Sequence, residues 1–213
     1  MRILKATRDN ILTASRIVSK GGVVVYPTET VYGLGCDPFN IEAVKRVFEV
    51  KGERIKPPPI LASSIDHVEK IAYMSQEGKK VAEKFWPGPL TMVFPKRLVL
   101  PDIVTCNADS VGVRIPKHDV ALQLISLSNG LLIGTSANRT GEKPPRTAQE
   151  ATQQLKEEVD VFLDGGPTTL GKPSTVADFT SKKPRILREG PISLKEISDI
   201  ISKKNKSTPN QKM

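Results

Sequence analysis

Histidine and cysteine are scarce in this 213-residue sequence, with two of each. Cys36 and Cys106 lie far apart and form no Cys-x-x-Cys pair, and His67 and His118 add no ligand spacing. Neither a zinc site nor a disulfide framework is expected. No apolar run approaches the length of about 20 residues that a membrane helix needs. The apolar part of Met1–Lys5 is too short for a signal peptide, so the expectation is a cytoplasmic chain with no membrane partner. Aromatic residues make up 5% of the chain, which argues against recognition of nucleic acid by base stacking. The GxGxxG, GxSxG and HExxH signatures are all missing, and with them the simplest dinucleotide, serine-hydrolase and zinc-protease readings.

What is present describes a soluble globular protein with one good core: 38% hydrophobic and 26% charged residues. Thirty-two basic residues against 23 acidic ones leave a net charge of +9. Such an excess favours anionic partners such as nucleotides or RNA, although a generally lysine-rich surface would produce it too. Part of it sits in the segment 203–213, whose composition reads as a disordered tail. The expected folded domain is therefore 1–202.

Strand and helix patterns alternate along the chain. Ile3–Leu4 opens a short strand, and Asn10–Lys20 carries apolar residues at helical spacing up to the stop at Gly21-Gly22. Val23–Tyr26 reads as a buried strand. Asn40 is a good cap for a helix over Ile41–Val50. Pro59–Ala62 is a short strand, Ser63 or Ser64 caps the next helix, and a further helix ends at Val81–Phe85. Leu90–Phe94, Val111–Ile115 and Leu131–Gly134 read as strands, with a helix at Val120–Leu127. Thr147 with Glu150 forms a capping box that opens a helix to about Glu158. Val161–Leu163, Thr175–Phe179 and Arg185–Leu187 are strands, and Ser193 with Glu196 opens a last helix ending near Ser202. The simplest fold is one α/β domain with an open, twisted mixed sheet flanked by helices.

Polar clusters recur at the strand ends. The most informative is Tyr26-Pro-Thr-Glu-Thr-Val-Tyr-Gly-Leu-Gly35, because open α/β sheets bind ligands beyond the carboxyl ends of their strands. Lys51, Arg54 and Lys56 place three cations at a helix C-terminus. They either offset the helix dipole or grip phosphates. Gly134-Thr-Ser136-Ala-Asn138 follows a strand, and so does Arg188-Glu-Gly. Arg114 sits inside an apolar run, where a cation is costly without a partner. Ser174-Thr175 stands close to Asp178. Gly166-Pro-Thr-Thr-Leu-Gly171-Lys172 matches a phosphate loop, but Pro173 stands where Ser or Thr is needed and a strand follows instead of a helix. Several Arg and Lys with no histidine base suit the binding and positioning of a polyanion better than proton abstraction.

Taken together, Tyr26–Gly35, Phe85–Thr91, Val111–Pro116, Thr135–Gly141, Asp164–Pro167, Ser174–Asp178 and Ile186–Gly190 resemble one family, the YrdC-type threonylcarbamoyl-AMP synthases. The resemblance spans about residues 10–190 and corresponds to the short form with a single catalytic domain. It implies a twisted α/β sheet with a concave, positively charged face. It implies a reaction that joins L-threonine, bicarbonate and ATP, with Mg²⁺, into L-threonylcarbamoyl-adenylate and pyrophosphate. The product feeds N6-threonylcarbamoyladenosine at tRNA position 37 through a downstream threonylcarbamoyl transferase complex, and tRNA is a further candidate partner. The roles it implies are threonine binding by Thr30, Tyr32, Arg114 and Ser174, with Arg114 on a carboxylate or a phosphate. ATP binding falls to Lys51, Arg54, Lys56, Ser136, Asn138 and Arg188. No residue is assigned as a general base and no protein ligand to a metal is named. The family's usual K-x-R spacing is altered here, because Glu53 intrudes and Arg54 comes one position late. The competing reading is a non-catalytic module that binds double-stranded RNA or tRNA.

Overall fold

The computed structural model describes residues 2–52 and 56–202. In chain order the elements are β1 (Ile3–Lys5), α1 (Arg8–Ser19), β2 (Val24–Tyr26), β3 (Gly33–Gly35), α2 (Ile41–Lys51), β4 (Ile60–Ala62), α3 (Ile65–Ile71), α4 (Gln76–Phe85) and β5 (Leu90–Pro95). A 3-10 turn at Asp102–Thr105 leads to β6 (Ser110–Arg114), α5 (Asp119–Leu127), β7 (Leu131–Ile133), β8 (Thr135–Ser136) and α6 (Ala148–Leu155). β9 (Val161–Asp164), β10 (Thr175–Asp178), β11 (Arg185–Arg188) and α7 (Leu194–Ser202) complete the chain.

The helix starts follow the capping chemistry. Asn40 accepts from the Ala43 amide at 3.0 Å, and Ser64, not Ser63, accepts from the His67 amide. Ser193 and Glu196 form a reciprocal box: the Ser193 amide donates to Glu196 Oε2 at 2.8 Å and the Glu196 amide to Ser193 Oγ at 3.3 Å. The box at Thr147 is displaced by one residue, since Glu150 Oε2 accepts from the Arg146 amide. α1 starts earlier than the apolar spacing indicates, at Arg8, because Thr7 caps it.

The mixed α/β class holds, with the strands divided between two sheets. One has the order β1-β9-β2-β3-β8 and the other β11-β10-β5-β6-β4-β7. Each mixes parallel and antiparallel pairs: β9 runs parallel to β1 and β2, whereas β3 is antiparallel to β2 and β8. The division occurs at Gly134, where β7 belongs to the second sheet and β8 to the first. The sheets meet closely there. The Tyr26 phenol donates to the Ile133 carbonyl at 3.0 Å. A Cβ on Gly35 would lie 2.0 Å from that same oxygen, so only glycine permits the approach.

Strand alternation divides the core in two. Val24, Tyr26, Leu61 and Leu132 join α1 and α5 in one cluster with Ile11, Val18, Leu124 and Ile125. Their neighbours Val23, Val25, Ile60, Ala62 and Ile133 turn to the other face and join Met92, Phe94, Val113 and Phe162. Strands buried on both faces read as unbroken apolar runs, as Val23–Tyr26 and Leu131–Ile133 do.

Candidate active site

The two sheets leave a cleft of about 430 Å³ between the loop after β2, the ends of β4, β5, β6 and β11, the β7–β8 junction and the loop after β8. Thr30, Lys51, Lys56, Arg114, Ser136, Asn138, Ser174 and Arg188 all line it, although the sequence spreads them over most of its length. The charged residues of the lining are Lys51, Lys56, Arg114 and Arg188, and no carboxylate is among the described ones. Arg54 lies outside the described residues, as does the tail at 203–213.

Lys51, Asn138, Arg114 and Arg188 are each held by backbone carbonyls. Lys51 is buried at the end of α2 and its ammonium donates to the carbonyls of Ser136, at 2.7 Å, and Asn138. The Thr140 amide donates to the Lys51 carbonyl at 2.9 Å. Lys51 thus ties α2 to the loop after β8, and its charge sits at the cleft. Asn138 Nδ2 donates to the carbonyls of Arg139 and Glu142, both at 2.8 Å, and closes the same loop.

Arg114, at the end of β6, is 6% exposed. Its Nε donates to the Gly88 carbonyl at 3.0 Å and its Nη1 to Thr30 Oγ1 at 3.0 Å. Its Nη2 approaches Glu29 Oε2 at 2.6 Å, at an angle outside hydrogen-bond geometry, so the contact is an ion pair without hydrogen-bond alignment. The cost of a buried cation foreseen for this position is therefore met by Glu29 on the next loop. Thr28 orders that loop. Its hydroxyl donates to the Val31 carbonyl at 2.7 Å and lies 2.8 Å from Thr30 Oγ1.

On the opposite wall Arg188 donates through Nε and Nη2 to the Ser174 carbonyl, at 3.1 and 2.8 Å, and through Nη2 to Ser174 Oγ at 3.1 Å. Ser174 Oγ shares a hydrogen with Thr91 Oγ1 at 2.8 Å. Burial, and then the like charge of Arg114, hold the Arg188 guanidinium below its ordinary value. An anion between the two guanidiniums would relieve that repulsion.

Tyr32 is not among the residues that line the cleft. Its ring is fully buried and its phenol donates to the Gly166 carbonyl at 2.7 Å, tying β3 to the turn after β9. Burial pushes that phenol up to about 12. The Gly166–Lys172 segment is a loop between β9 and β10 with no helix after it, so it lacks the helix N-terminus of a phosphate loop. Thr28 and Glu29 stand in the Tyr26–Gly35 cluster and Thr91 ends the Phe85–Thr91 stretch, but the sequence assigns none of them a role of its own. A lone threonine in the apolar strand Leu90–Phe94 was the one available signal for Thr91. Nothing local distinguished Glu29 from a carboxylate in an ordinary turn.

Comparison with known proteins gives the family and the fold. The Sua5/YciO/YrdC family model, described as telomere recombination, matches residues 16–190. The threonylcarbamoyl-AMP synthase of Pyrococcus abyssi is 40% identical over 193 residues, which cover 90% of this chain and 57% of that protein. A putative threonylcarbamoyl-AMP synthase of Mycobacterium tuberculosis is 35% identical over 193 residues, 90% of this chain and 88% of that protein. The solved structure of P. abyssi Sua5 complexed with L-threonine superposes with a TM-score of 0.89 at 38% identity, covering 94% of this chain and 60% of that one. The chain thus spans less than two thirds of the length of the P. abyssi proteins it matches. By the extent of the family match and by identity and coverage against the M. tuberculosis relative, this chain belongs to the Sua5/YciO/YrdC family.

Proposed function

We propose that residues 1–202 act as an L-threonylcarbamoyladenylate synthase, joining L-threonine, bicarbonate and ATP with release of pyrophosphate. The observation that carries this reading is a cleft whose charged lining, among the described residues, is all cationic and which Thr30 and Ser174 also line. Such a lining suits a triphosphate and an amino-acid carboxylate together. The P. abyssi relative solved with L-threonine supports the choice of amino acid.

The chemistry asks for positioning and charge compensation. Threonine's amine condenses with bicarbonate to a carbamate with loss of water, the carbamate oxygen attacks the α-phosphate, and pyrophosphate leaves. Lys51, Lys56 and Arg188 offset the charge of the triphosphate and the leaving group. Arg114 and Ser174 hold the amino acid beside Thr30. Among the described residues no three His, Cys, Asp or Glu side chains stand together. The described lining therefore offers no protein cage for Mg²⁺, which enters as part of the metal–nucleotide substrate. The product would pass to a threonylcarbamoyl transferase complex acting on tRNA. Among the described residues no helix is long and apolar enough to cross a membrane.

The test is pyrophosphate release from ATP, Mg²⁺ and bicarbonate with and without L-threonine, with L-serine as the control lacking one methyl. Threonine-dependent release is expected. Salt-sensitive RNA binding without any turnover would replace this reading with the RNA-binding module.

A further inference from the structure

Resting on the threonine-binding reading, we propose that Glu29 is a positioning residue which, through Arg114, holds Thr30 Oγ1 with one lone pair taken and the other directed to the cleft, so that the site selects a ligand group that donates. The argument is an inventory of hydrogens. A threonine hydroxyl has one hydrogen to give and two lone pairs to receive. Thr28 Oγ1 gives its hydrogen to the Val31 carbonyl at 2.7 Å, an atom that can only accept. Thr28 Oγ1 also accepts, over longer distances, from the Thr30 and Val31 amides at 3.2 and 3.3 Å. Two hydroxyl oxygens 2.8 Å apart need a hydrogen between them, and with that of Thr28 spent on Val31 it comes from Thr30. Thr30 Oγ1 also accepts from Arg114 Nη1 at 3.0 Å. Its single hydrogen is committed and one of its lone pairs is taken. What it can offer the cleft is one remaining lone pair.

Glu29 makes this arrangement persist. It is 6% exposed and does not line the cleft. Its ion pair is with Arg114, and among the described residues neither carboxylate oxygen receives a hydrogen bond. The interaction is thus one of charge, and it acts on the guanidinium that donates to Thr30. Without that charge the guanidinium is free to leave Thr30 for an anion in the cleft, and Thr30 loses the bond that occupies one lone pair and fixes the direction of the other. On the amino-acid substrate the group read by Thr30 is an O–H or N–H: the side-chain hydroxyl or the α-amine.

The experiment is calorimetric titration of the full chain with L-threonine, with L-2-aminobutyrate, which lacks the hydroxyl, and separately with Mg-ATP. Thr30→Ser should bind L-threonine within about threefold of the wild type. Thr30→Val and Glu29→Gln should each weaken it by about tenfold or more, the loss of one hydrogen bond, with ATP affinity held within about threefold. A Thr30→Val loss confined to L-threonine identifies the hydroxyl as the donor, and an equal loss on both amino acids identifies the amine. Wild-type affinity in Thr30→Val would overturn the acceptor assignment. A weakened Thr30→Val beside an unchanged Glu29→Gln would overturn the role of Glu29. Should Glu29→Gln fail to fold, Glu29→Met carries the same test, since it also removes the charge beside Arg114 while filling a similar volume. No L-threonine binding by the wild type would overturn the threonine reading itself, and this inference with it.

Discussion

Replacing Arg114 with alanine is expected to destabilise the whole domain as well as the site. The guanidinium makes two hydrogen bonds at 3.0 Å, to the Gly88 carbonyl and to Thr30 Oγ1. Bonds from a charged donor contribute about 1.5–3 kcal/mol each. Its removal also leaves Glu29 as a buried carboxylate without a counter-charge, and breaking a buried pair costs about 3–5 kcal/mol. These terms overlap, because deleting arginine also recovers the cost of desolvating it. The expected loss is about 4 kcal/mol, which at about 2–4 °C per kcal/mol for a chain of this size lowers Tm by about 8–16 °C. Urea unfolding followed by circular dichroism would measure it, in a cycle with Glu29→Gln and the double variant. The double variant should be more stable than the summed single effects imply, by about 1 kcal/mol or more, and salt should change this coupling little. Lys45→Ala is the control, since Lys45 and Glu42 pair on the exposed face of α2 and such pairs contribute about 0–1 kcal/mol. A loss below about 1 kcal/mol for Arg114→Ala, or single effects that add within about 0.5 kcal/mol, would refute the buried-pair argument.

Ser136→Ala and Arg188→Ala should each cut threonine-dependent pyrophosphate release by about tenfold or more, whereas Lys172→Ala should leave nucleotide binding unchanged. Equal effects of all three would reject the assignment of the cleft. Gly35→Ala should fold poorly, because its Cβ would lie 2.0 Å from the Ile133 carbonyl oxygen and backbone cannot yield cheaply. A melting temperature within about 2 °C of the wild type would contradict the close apposition of the sheets there. Stability should also fall in acid. Burial holds the His118 ring below its ordinary 6.5, against the opposing fields of Glu29 and Asp119. The unfolded chain therefore takes up that proton first, and stability is lost as pH falls below about 6.5. Burial would raise the Asp178 carboxyl, but the Thr180 hydroxyl and amide and Arg185 outweigh it, and the Ser193 amide and hydroxyl lower Glu196. Both contribute stability that is present above their ordinary values of 3.8 and 4.5 and is lost below them. Urea midpoints at pH 7, 5.5 and 3.5 should decrease in that order, and a flat profile would dispose of these assignments.

The sequence by itself determined the local structure. Apolar runs and caps are short-range chemistry, so Val23–Tyr26, Leu131–Ile133 and the helix starts at Asn40, Thr147 and Ser193 were all legible in it. It also supplied the candidates for the site, because Arg114 in an apolar strand and the polar residues at strand ends are unusual in any fold. Tertiary structure decided what those residues do. β3 hides in Gly33-Leu-Gly35, since its evidence is the approach of β2 and of the Ile133 carbonyl and not propensity. The division into two sheets turns on Gly134, one residue whose neighbours pair in different sheets. Tyr32 looked like a ligand contact by its motif and is a buried strut by its partner, the Gly166 carbonyl. Glu29 had no distinguishing neighbours in sequence and became the counter-charge of Arg114, 85 residues away by number, because burial makes a charge seek its partner through space and sequence distance imposes no limit on that search.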